Sequence, residues 1–260
     1  MPGEASTGTF LQGLERGLAV IRAFSAEAPS LTLSEVAREV GITPATARRI
    51  LLTLEELGYV RSDGRRFSLT PRVLALGWAY LSSLDLGDIA GPFMEELSLK
   101  TRESCSIATL DLPDIVYVAR VPTSRIMTVA LGVGARLPAY ATSMGRVLLA
   151  GLPADELEAY LSTLEAEALT DHTVTSADGL RDAVERAGVD GYALVDQELE
   201  LGLRSIAVPI RDSRGRAVAA LNVSAHASRT SKAALRSDVL GPLQECAESI
   251  GTALRRRGRI

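Results

Sequence analysis

The 260-residue chain is poor in the side chains that usually carry catalysis or cross-linking. It holds two cysteines, two histidines and one tryptophan, and aromatic residues make up 4% of it. Cys105 and Cys246 fit no CxxC spacing, so two buried thiols are expected rather than a disulfide. His172 and His226 have no second histidine and no cysteine or carboxylate cluster at metal-ligand spacing, so no metal is expected. His172 lies in the polar "LTDHTVTS" and reads as a surface residue. Nucleophile-elbow, P-loop and kinase-type motifs are absent. "GVGARL" supplies Gly132 and Gly134 without the third glycine or a following helix, which argues against a dinucleotide. No cofactor is expected. There is no apolar run long enough to span a membrane, and "MPGEASTGTF" does not read as a secretory leader. The expectation is a cytoplasmic protein with no membrane partner.

What is present is a chain that is 47% hydrophobic, enough for a large core in one or two domains. Its net charge of −4 is unevenly placed. Residues 1–75 carry nine arginines against eight acids, whereas the remainder carries nineteen basic residues against twenty-four acids. Only the N-terminal part is a candidate for a nucleic-acid surface, and it is only locally basic.

That part has the punctuation of a helix-turn-helix. In "GLERGLAVIRAF", Leu14, Leu18, Ile21 and Phe24 recur at helical spacing and are expected to form an apolar face. In "LTLSEVAREVG", Thr32 and Glu35 make a capping box, and Leu31 and Val36 flank it as a hydrophobic staple. Leu33, Val36, Ala37 and Val40 line one side, and Gly41 suits a left-handed stop. A second helix opens with Thr43 as cap and Pro44 in the first position. Ala47, Ile50, Leu51, Leu54 and Leu57 point to the core, with Gly58 as terminator. Ala45, Thr46, Arg48 and Arg49 are left outward. In a helix-turn-helix the second helix enters the DNA major groove with its first residues nearest the bases. Short side chains permit close approach. Thr43 and Thr46 can meet phosphate or a thymine methyl, and the arginines can meet guanine or phosphate. A plain solvated helix face is the alternative for two adjacent arginines.

"YVRSDGRRFSL" reads as a hairpin turning at Asp63-Gly64, with Val60, Phe67 and Leu69 inward. Arg61, Arg65 and Arg66 gather near its tip, as in a phosphate-contacting wing. After Pro71 comes a helix whose stripe of Val73 or Leu74, Trp78, Leu81 and Leu84 suits pairing with a second subunit or burial against the second domain. The expected division is a winged helix-turn-helix over 10–70, a linker helix over 71–84 and a second domain over 85–260.

Beyond residue 85 helical and strand patterns mix without strict alternation, which predicts an antiparallel α+β sheet. "SCSIATL", "DIVYVARV", "IMTVAL", "GYALVD", "RSIAVPI" and "AVAALNVSA" read as strands. "DIAGPFMEELSLKT", "MGRVLLAGL", a run from Pro153 through Leu164 and "SADGLRDAVERAG", ending at Gly188, read as helices. The last helix begins near Ser231 and is expected to break at Gly241-Pro242.

A small-molecule site is suggested by polar residues in apolar surroundings. "ATSMG" puts small residues and free amides at a helix start, at Ser143, Met144 and Gly145, which favours a carboxylate. Ser205, Asn222 and Ser224 interrupt apolar strands, the last two on one face. Buried polar groups need partners, either a ligand or one another. Asp196 and Glu198 read as loop carboxylates that pair with Arg204 or a neighbour, or orient a ligand hydroxyl.

Taken together, "GLERGLAVIRAF", "LTLSEVAREVGITPATARRILLTLEELGYV", "GARLPAYATSMGRVLLA", "DQELELGLRSIAVPIRD" and "ALNVSA" resemble the IclR family of bacterial transcription regulators over residues 10–255. "RVPTSRIMTVALGVGARLPAYATSMGRVLL" is most similar to regulators of the β-ketoadipate pathway. The resemblance implies a winged helix-turn-helix, a linker helix and a GAF/PAS-like effector domain, in dimers that pair into tetramers on pseudopalindromic operators. It implies a small carboxylate effector held by Ser143 and Met144, apolar walls from Val129, Leu137 and Leu203, and a polar floor of Ser205, Asn222 and Ser224 with Asp196 nearby. Ser205 stands where relatives carry cysteine, and Asn222 where they often carry a small hydroxyl residue. Two other readings compete: a small-acid metabolic enzyme with an N-terminal partner-binding domain, and a DNA-binding protein whose second domain only oligomerises.

Overall fold

In the computed structural model, which describes residues 10–84, 86–123 and 132–256, the chain divides into a unit ending at Tyr80 and another beginning at Leu81. The first contains helices α1 (Gln12–Arg22), α2 (Leu33–Val40) and α3 (Pro44–Glu56) and a three-stranded antiparallel sheet. Its strands are β1 (Leu31–Thr32), β2 (Val60–Ser62) and β3 (Arg66–Leu69), in the order β1-β3-β2.

Local chemistry dictates the helix pair. The Glu35 amide donates to Thr32 Oγ1 at 3.3 Å while the Thr32 amide donates to Glu35 Oε2 at 2.7 Å. Those bonds satisfy two of the orphan donors at the start of α2. Gly41, at φ 69°, stops α2 in the left-handed region. Thr43 Oγ1 then accepts the Thr46 amide at 3.2 Å, with Pro44 in the first turn of α3. Val20, Val36, Ala37, Ala47, Leu51, Leu54 and Val60 are buried together, and each of the larger side chains contributes about 1.5–3 kcal/mol by leaving water.

The α1 face differs from expectation. Val20 is the buried residue, Ile21 and Phe24 pack beside it, and Leu14 and Leu18 are exposed. Leu57 is also exposed, because α3 ends at Glu56 and Leu57 lies in the turn leading to Gly58. A 3₁₀ turn (Pro71–Val73) leads into α4 (Leu74–Leu84), on which Leu74 and Trp78 are exposed.

The second unit is a six-stranded antiparallel sheet, as the lack of βα alternation predicts. Its strands are β4 (Ser104–Asp111), β5 (Asp114–Val121), β6 (Arg136–Pro138), β7 (Ala193–Asp196), β8 (Leu203–Arg211) and β9 (Ala217–His226), in the order β6-β5-β4-β9-β8-β7. β6 comes from the "GARLPAY" stretch and was not anticipated as a strand. The helices are α5 (Leu86–Thr101), α6 (Ser143–Leu149), α7 (Ala154–Thr163), α8 (Ala177–Asp190), α9 (Lys232–Ala234) and α10 (Leu240–Arg256).

Alternation along the strands divides two cores. Ile206, Val208, Leu221 and Val223 pack with Met94 and Leu97 of α5 and Leu243 and Ile250 of α10. Ala207 and Ala220 face the other way, with Met144 and Leu148 of α6 and Val184 of α8. Cys105 and Cys246 are free and buried in the first of these cores, and burial pushes both thiols up to about 12.

Two helix ends depart from the sequence reading. α8 runs through Gly188 to Asp190 and stops at Gly191, the residue that adopts the left-handed conformation at φ 73°. The C-terminal helix is not broken at Gly241-Pro242. A π-helical turn at Leu235–Val239 precedes α10, and Pro242 sits within its first turn. Proline lacks an N–H and its ring crowds the carbonyl four residues earlier. Here that residue is Asp238, in the wider π turn.

Candidate nucleic-acid interface and effector cavity

On α3, Thr43, Ala45, Arg48 and Arg49 are exposed and Thr46 is half-buried. Thr43 and Thr46 share a hydroxyl–hydroxyl bond of 2.9 Å, and Thr53 Oγ1 donates to the Arg49 carbonyl at 2.9 Å. The start of the helix is therefore ordered by its own hydroxyls, and both arginine heads remain in solvent.

The wing turns as its composition dictates. Asp63 Oδ1 accepts the Arg65 and Arg66 amides at 2.9 and 2.7 Å, and Gly64 takes φ 94°. Those two amides hold the Asp63 carboxyl below the usual carboxylate range. Arg61 and Arg65 project outward.

Arg66 does not join them at the tip. Its Nε donates to Ser30 Oγ at 3.0 Å and its Nη2 to the Ser30 carbonyl at 2.8 Å and to Glu35 Oε2 at 3.3 Å. The physical reason is β1, which pairs Thr32 with Arg66 and brings the start of α2 within reach of the guanidinium. Arg66 joins the wing to the helix-turn-helix while its side chain stays partly exposed. One basic residue beyond the expected set sits at the base of the wing, where the Arg72 guanidinium lies 5.7 Å from the Tyr59 ring centre.

In the second unit, strand register gathers three of the expected polar residues, Ser205, Asn222 and Ser224, together with Ser106. Ser205 on β8 pairs with Ser224 on β9, and Ser106 on β4 pairs with Asn222. All four side chains lie on the sheet face covered by α6. Ser143 Oγ donates to Ser205 Oγ at 2.9 Å. The Asn222 carbonyl oxygen accepts the Ser106 amide at 3.1 Å, and its Nδ2 donates to Ser224 Oγ at 3.1 Å.

Ser143, Leu203, Ser205, Asn222 and Ser224 line one cavity. Tyr117, Val195, Leu199 and Thr142 complete its described wall together with Ala141. These are residues that polar-in-apolar counting could not find. Thr142 had a signal, since a threonine before a helix start is a natural cap, and its Oγ1 accepts the Gly145 amide at 3.0 Å. Burial raises the Tyr117 hydroxyl to about 12, so it is a neutral donor. The cavity is about 20 Å³, room for one water where about 10–15 Å³ admits one.

Gly145 explains how α6 sits so close to this wall. A Cβ at that position would overlap the backbone of Ala139 in the preceding 3₁₀ turn (Ala139–Ala141).

Three expected residues lie elsewhere. Met144 and Leu137 pack into the apolar core beside the cavity without lining it. Asp196 belongs to the opposite sheet face. It pairs in register with Arg204, one residue out of phase with the cavity-facing pair Val195 and Ser205, so alternation turns it away. Its Oδ1 accepts Arg204 Nε at 2.7 Å and its Oδ2 lies 3.3 Å from Lys232 Nζ. The Arg204 bond holds the Asp196 carboxyl below its ordinary value, with Lys232 adding to it. Val129 and the "IMTVAL" run lie outside the described residues.

Glu198 pairs with Arg146 of α6 rather than with Arg204. Both are buried, and Glu198 Oε1 accepts Arg146 Nη1 at 2.8 Å. His172 is exposed, as is His226, whose Nδ1 lies 2.7 Å from Ser228 Oγ. Among the described residues there is no cluster of metal-ligating side chains, and no helix is long and apolar enough to cross a membrane.

Two family models match the chain: the IclR helix-turn-helix domain over residues 13–64 and the C-terminal domain of bacterial transcriptional regulator IclR over residues 78–252. The chain belongs to the IclR family. As a family member it is a DNA-binding transcriptional regulator, not the metabolic enzyme weighed from composition. It is 45% identical over 240 residues to the Pca regulon regulatory protein of Pseudomonas putida, covering 91% of this chain and 82% of that one. A transcriptional regulator from Rhodococcus sp. RHA1 shares its fold at a TM-score of 0.85 and 55% identity, over 95% of this chain and all of that one. An IclR homologue from Microbacterium hydrocarbonoxydans, solved in complex with 4-hydroxybenzoate, matches at a TM-score of 0.83 and 26% identity, over 94% and 99% of the two chains.

Proposed function

We propose that this IclR-family regulator acts in the cytoplasm on genes of aromatic-acid breakdown in the β-ketoadipate pathway, under the control of a small aromatic carboxylate. In this reading residues 10–70 bind operator DNA, 71–84 link, and 85–260 sense. Thr43, Ala45, Thr46, Arg48 and Arg49 enter the major groove, and Arg61 and Arg65 contact phosphate. The apolar residues exposed on α4 suit pairing with a second copy, which would set two recognition helices on a pseudopalindromic site. Two such dimers would form the tetramer.

The observation that carries the effector reading is the cavity wall. Ser143, Ser205, Asn222 and Ser224 line a largely apolar enclosure with hydroxyl and amide groups that pair with one another in the closed cavity, and such a cluster can exchange those partners for the oxygens of a ligand. The larger groove of about 360 Å³ between β8 and α10 is open to solvent and lacks that enclosed polar wall. The likeness to a 4-hydroxybenzoate complex supports an aromatic acid as the ligand, and the likeness to the Pca regulon regulatory protein supports the pathway. A ligand shifts operator binding only through unequal affinity for the two arrangements of the protein.

The test is a gel-shift titration on the protein's own upstream DNA, with calorimetry using 4-hydroxybenzoate and protocatechuate. Arg48→Ala and Arg49→Ala are each expected to weaken the shift by about 1–3 kcal/mol where the arginine is bidentate to a base. Unchanged affinity in both would remove α3 from the groove. DNA binding with no heat from either acid would leave the second unit as an oligomerisation module.

A further inference from the structure

Resting on the reading that this cavity takes an aromatic acid, we infer that the Gln197–Gly202 segment is the gate of the cavity and that the buried Arg146–Glu198 pair is its latch. An aromatic acid is several times larger than the space available, so a wall must move to admit it. Most of the described wall consists of strand and helix-start residues held by ladder or cap bonds. Leu199 belongs to no regular element, and Leu203, its neighbour on the wall, is the first residue of β8.

The segment is bounded by two residues in the left-handed region, Gln197 at φ 63° and Gly202 at φ 83°. Gln197 closes it on itself. Its amide donates to the Leu203 carbonyl at 2.7 Å, and its Oε1 accepts the Gly202 amide at 3.0 Å. Gly202 has the backbone freedom to absorb a change in φ and ψ, and Gln197, in an uncommon conformation for a residue with a side chain, lies at the end of β7, so both bounds are element-terminal positions of the kind that serve as hinges.

What holds the segment down is concentrated at one residue. The Glu198 carboxylate takes Arg146 Nη1 and Nη2 in a fork and also accepts the Val174 amide at 3.1 Å. The Glu198 carbonyl accepts Thr173 Oγ1 at 2.6 Å, and the Gln197 carbonyl accepts Thr170 Oγ1 at 2.6 Å. Arg146 is fixed in turn by donating to the Tyr140 carbonyl at 3.1 Å. It sits one helical turn after Ser143, so the helix that supplies a cavity hydroxyl also carries the latch. Arg146 and Glu198 are positioning residues, acting on the ligand through Leu199.

The experiment compares full-length wild type, Glu198→Gln and Thr173→Val. Thr173→Val is the milder variant and serves if removing the buried charge prevents folding. Hydrogen exchange of residues 198–202 is measured without ligand, and stopped-flow binding with 4-hydroxybenzoate. The expected result is faster exchange in the segment, with association and dissociation both accelerated by about fivefold, the size of one lost hydrogen bond. A merely destabilised domain would not speed association. Wild type that binds no 4-hydroxybenzoate would overturn the ligand reading and the gate with it. Binding with exchange and rates unchanged in both variants would overturn the gate alone.

Discussion

The Asn222 amide holds Ser224 Oγ at 3.1 Å while its carbonyl oxygen takes the Ser106 amide from the neighbouring strand. One side chain thus fixes the orientation of a hydroxyl on the cavity wall and satisfies a backbone donor on the same face.

Replacing that hydroxyl tests the sensing role. Ser224→Leu places a branched side chain in the cavity. Overpacking of this kind costs about 1–3 kcal/mol, which the second unit's two cores can absorb. The expected outcome is a folded protein that still shifts operator DNA and whose shift no longer responds to 4-hydroxybenzoate. A response equal to wild type in the same titration would place the ligand elsewhere.

Arg65 and Arg66 are adjacent in sequence and differ in what they touch, so they should differ in what they do. Arg66→Ala removes the bonds to Ser30 and to the Glu35 carboxylate, and should lower the urea stability of the first unit by about 1 kcal/mol. Arg65→Ala should leave stability unchanged and reduce the slope of log affinity against log salt by about one, the signature of a lost phosphate contact. Urea melts together with gel shifts at several salt concentrations check both. Identical behaviour of the two variants would contradict the division of roles.

Asp196 gives a pH-dependent expectation with a definite sign. Arg204 holds its carboxyl below the ordinary value, so the folded state releases the proton more readily than the unfolded chain. The pair therefore stabilises the fold above the unfolded carboxyl's range, near about 3.9, and that contribution is lost as pH falls through the lowered folded value. Asp196→Asn should cost about 1.5–3 kcal/mol at neutral pH. Its stability deficit against wild type should narrow on acidification below about pH 4. A deficit of constant size down to acid unfolding, by thermal melts, would show that charge is not what Asp196 contributes.

The parts of the fold that are local in origin were legible in the sequence. Thr32, Glu35, Gly41, Thr43 and Pro44 define two helix ends through contacts spanning three or four residues, and their spacing alone is enough to read them. Leu14, Leu18 and Leu57 were not legible, since apolar periodicity marks a face without saying whether anything covers it. Gly188 misled because a glycine late in a helix is tolerated and the chain needed φ above zero three residues later, at Gly191. Ser205, Asn222 and Ser224 could be read because polar side chains on one face of an apolar strand ask for partners. Asp196 could not be placed, because the side of the sheet it occupies depends on its register with Arg204 across β8. Arg66 depended likewise on β1, a two-residue strand with no pattern of its own. Leu199 and Tyr117 reach the cavity through tertiary contacts that carry no sequence signature.

The sheet's two-sidedness separates robustness from evolvability. Ile206 and Val223 serve the packing against α5 and α10, whereas Ser205 and Ser224, their immediate neighbours in the chain, face the opposite way. If the cavity takes the proposed acid, a lineage can exchange one ligand for another by swapping every second residue of two adjacent strands, while the intervening residues keep the scaffold intact throughout the transition.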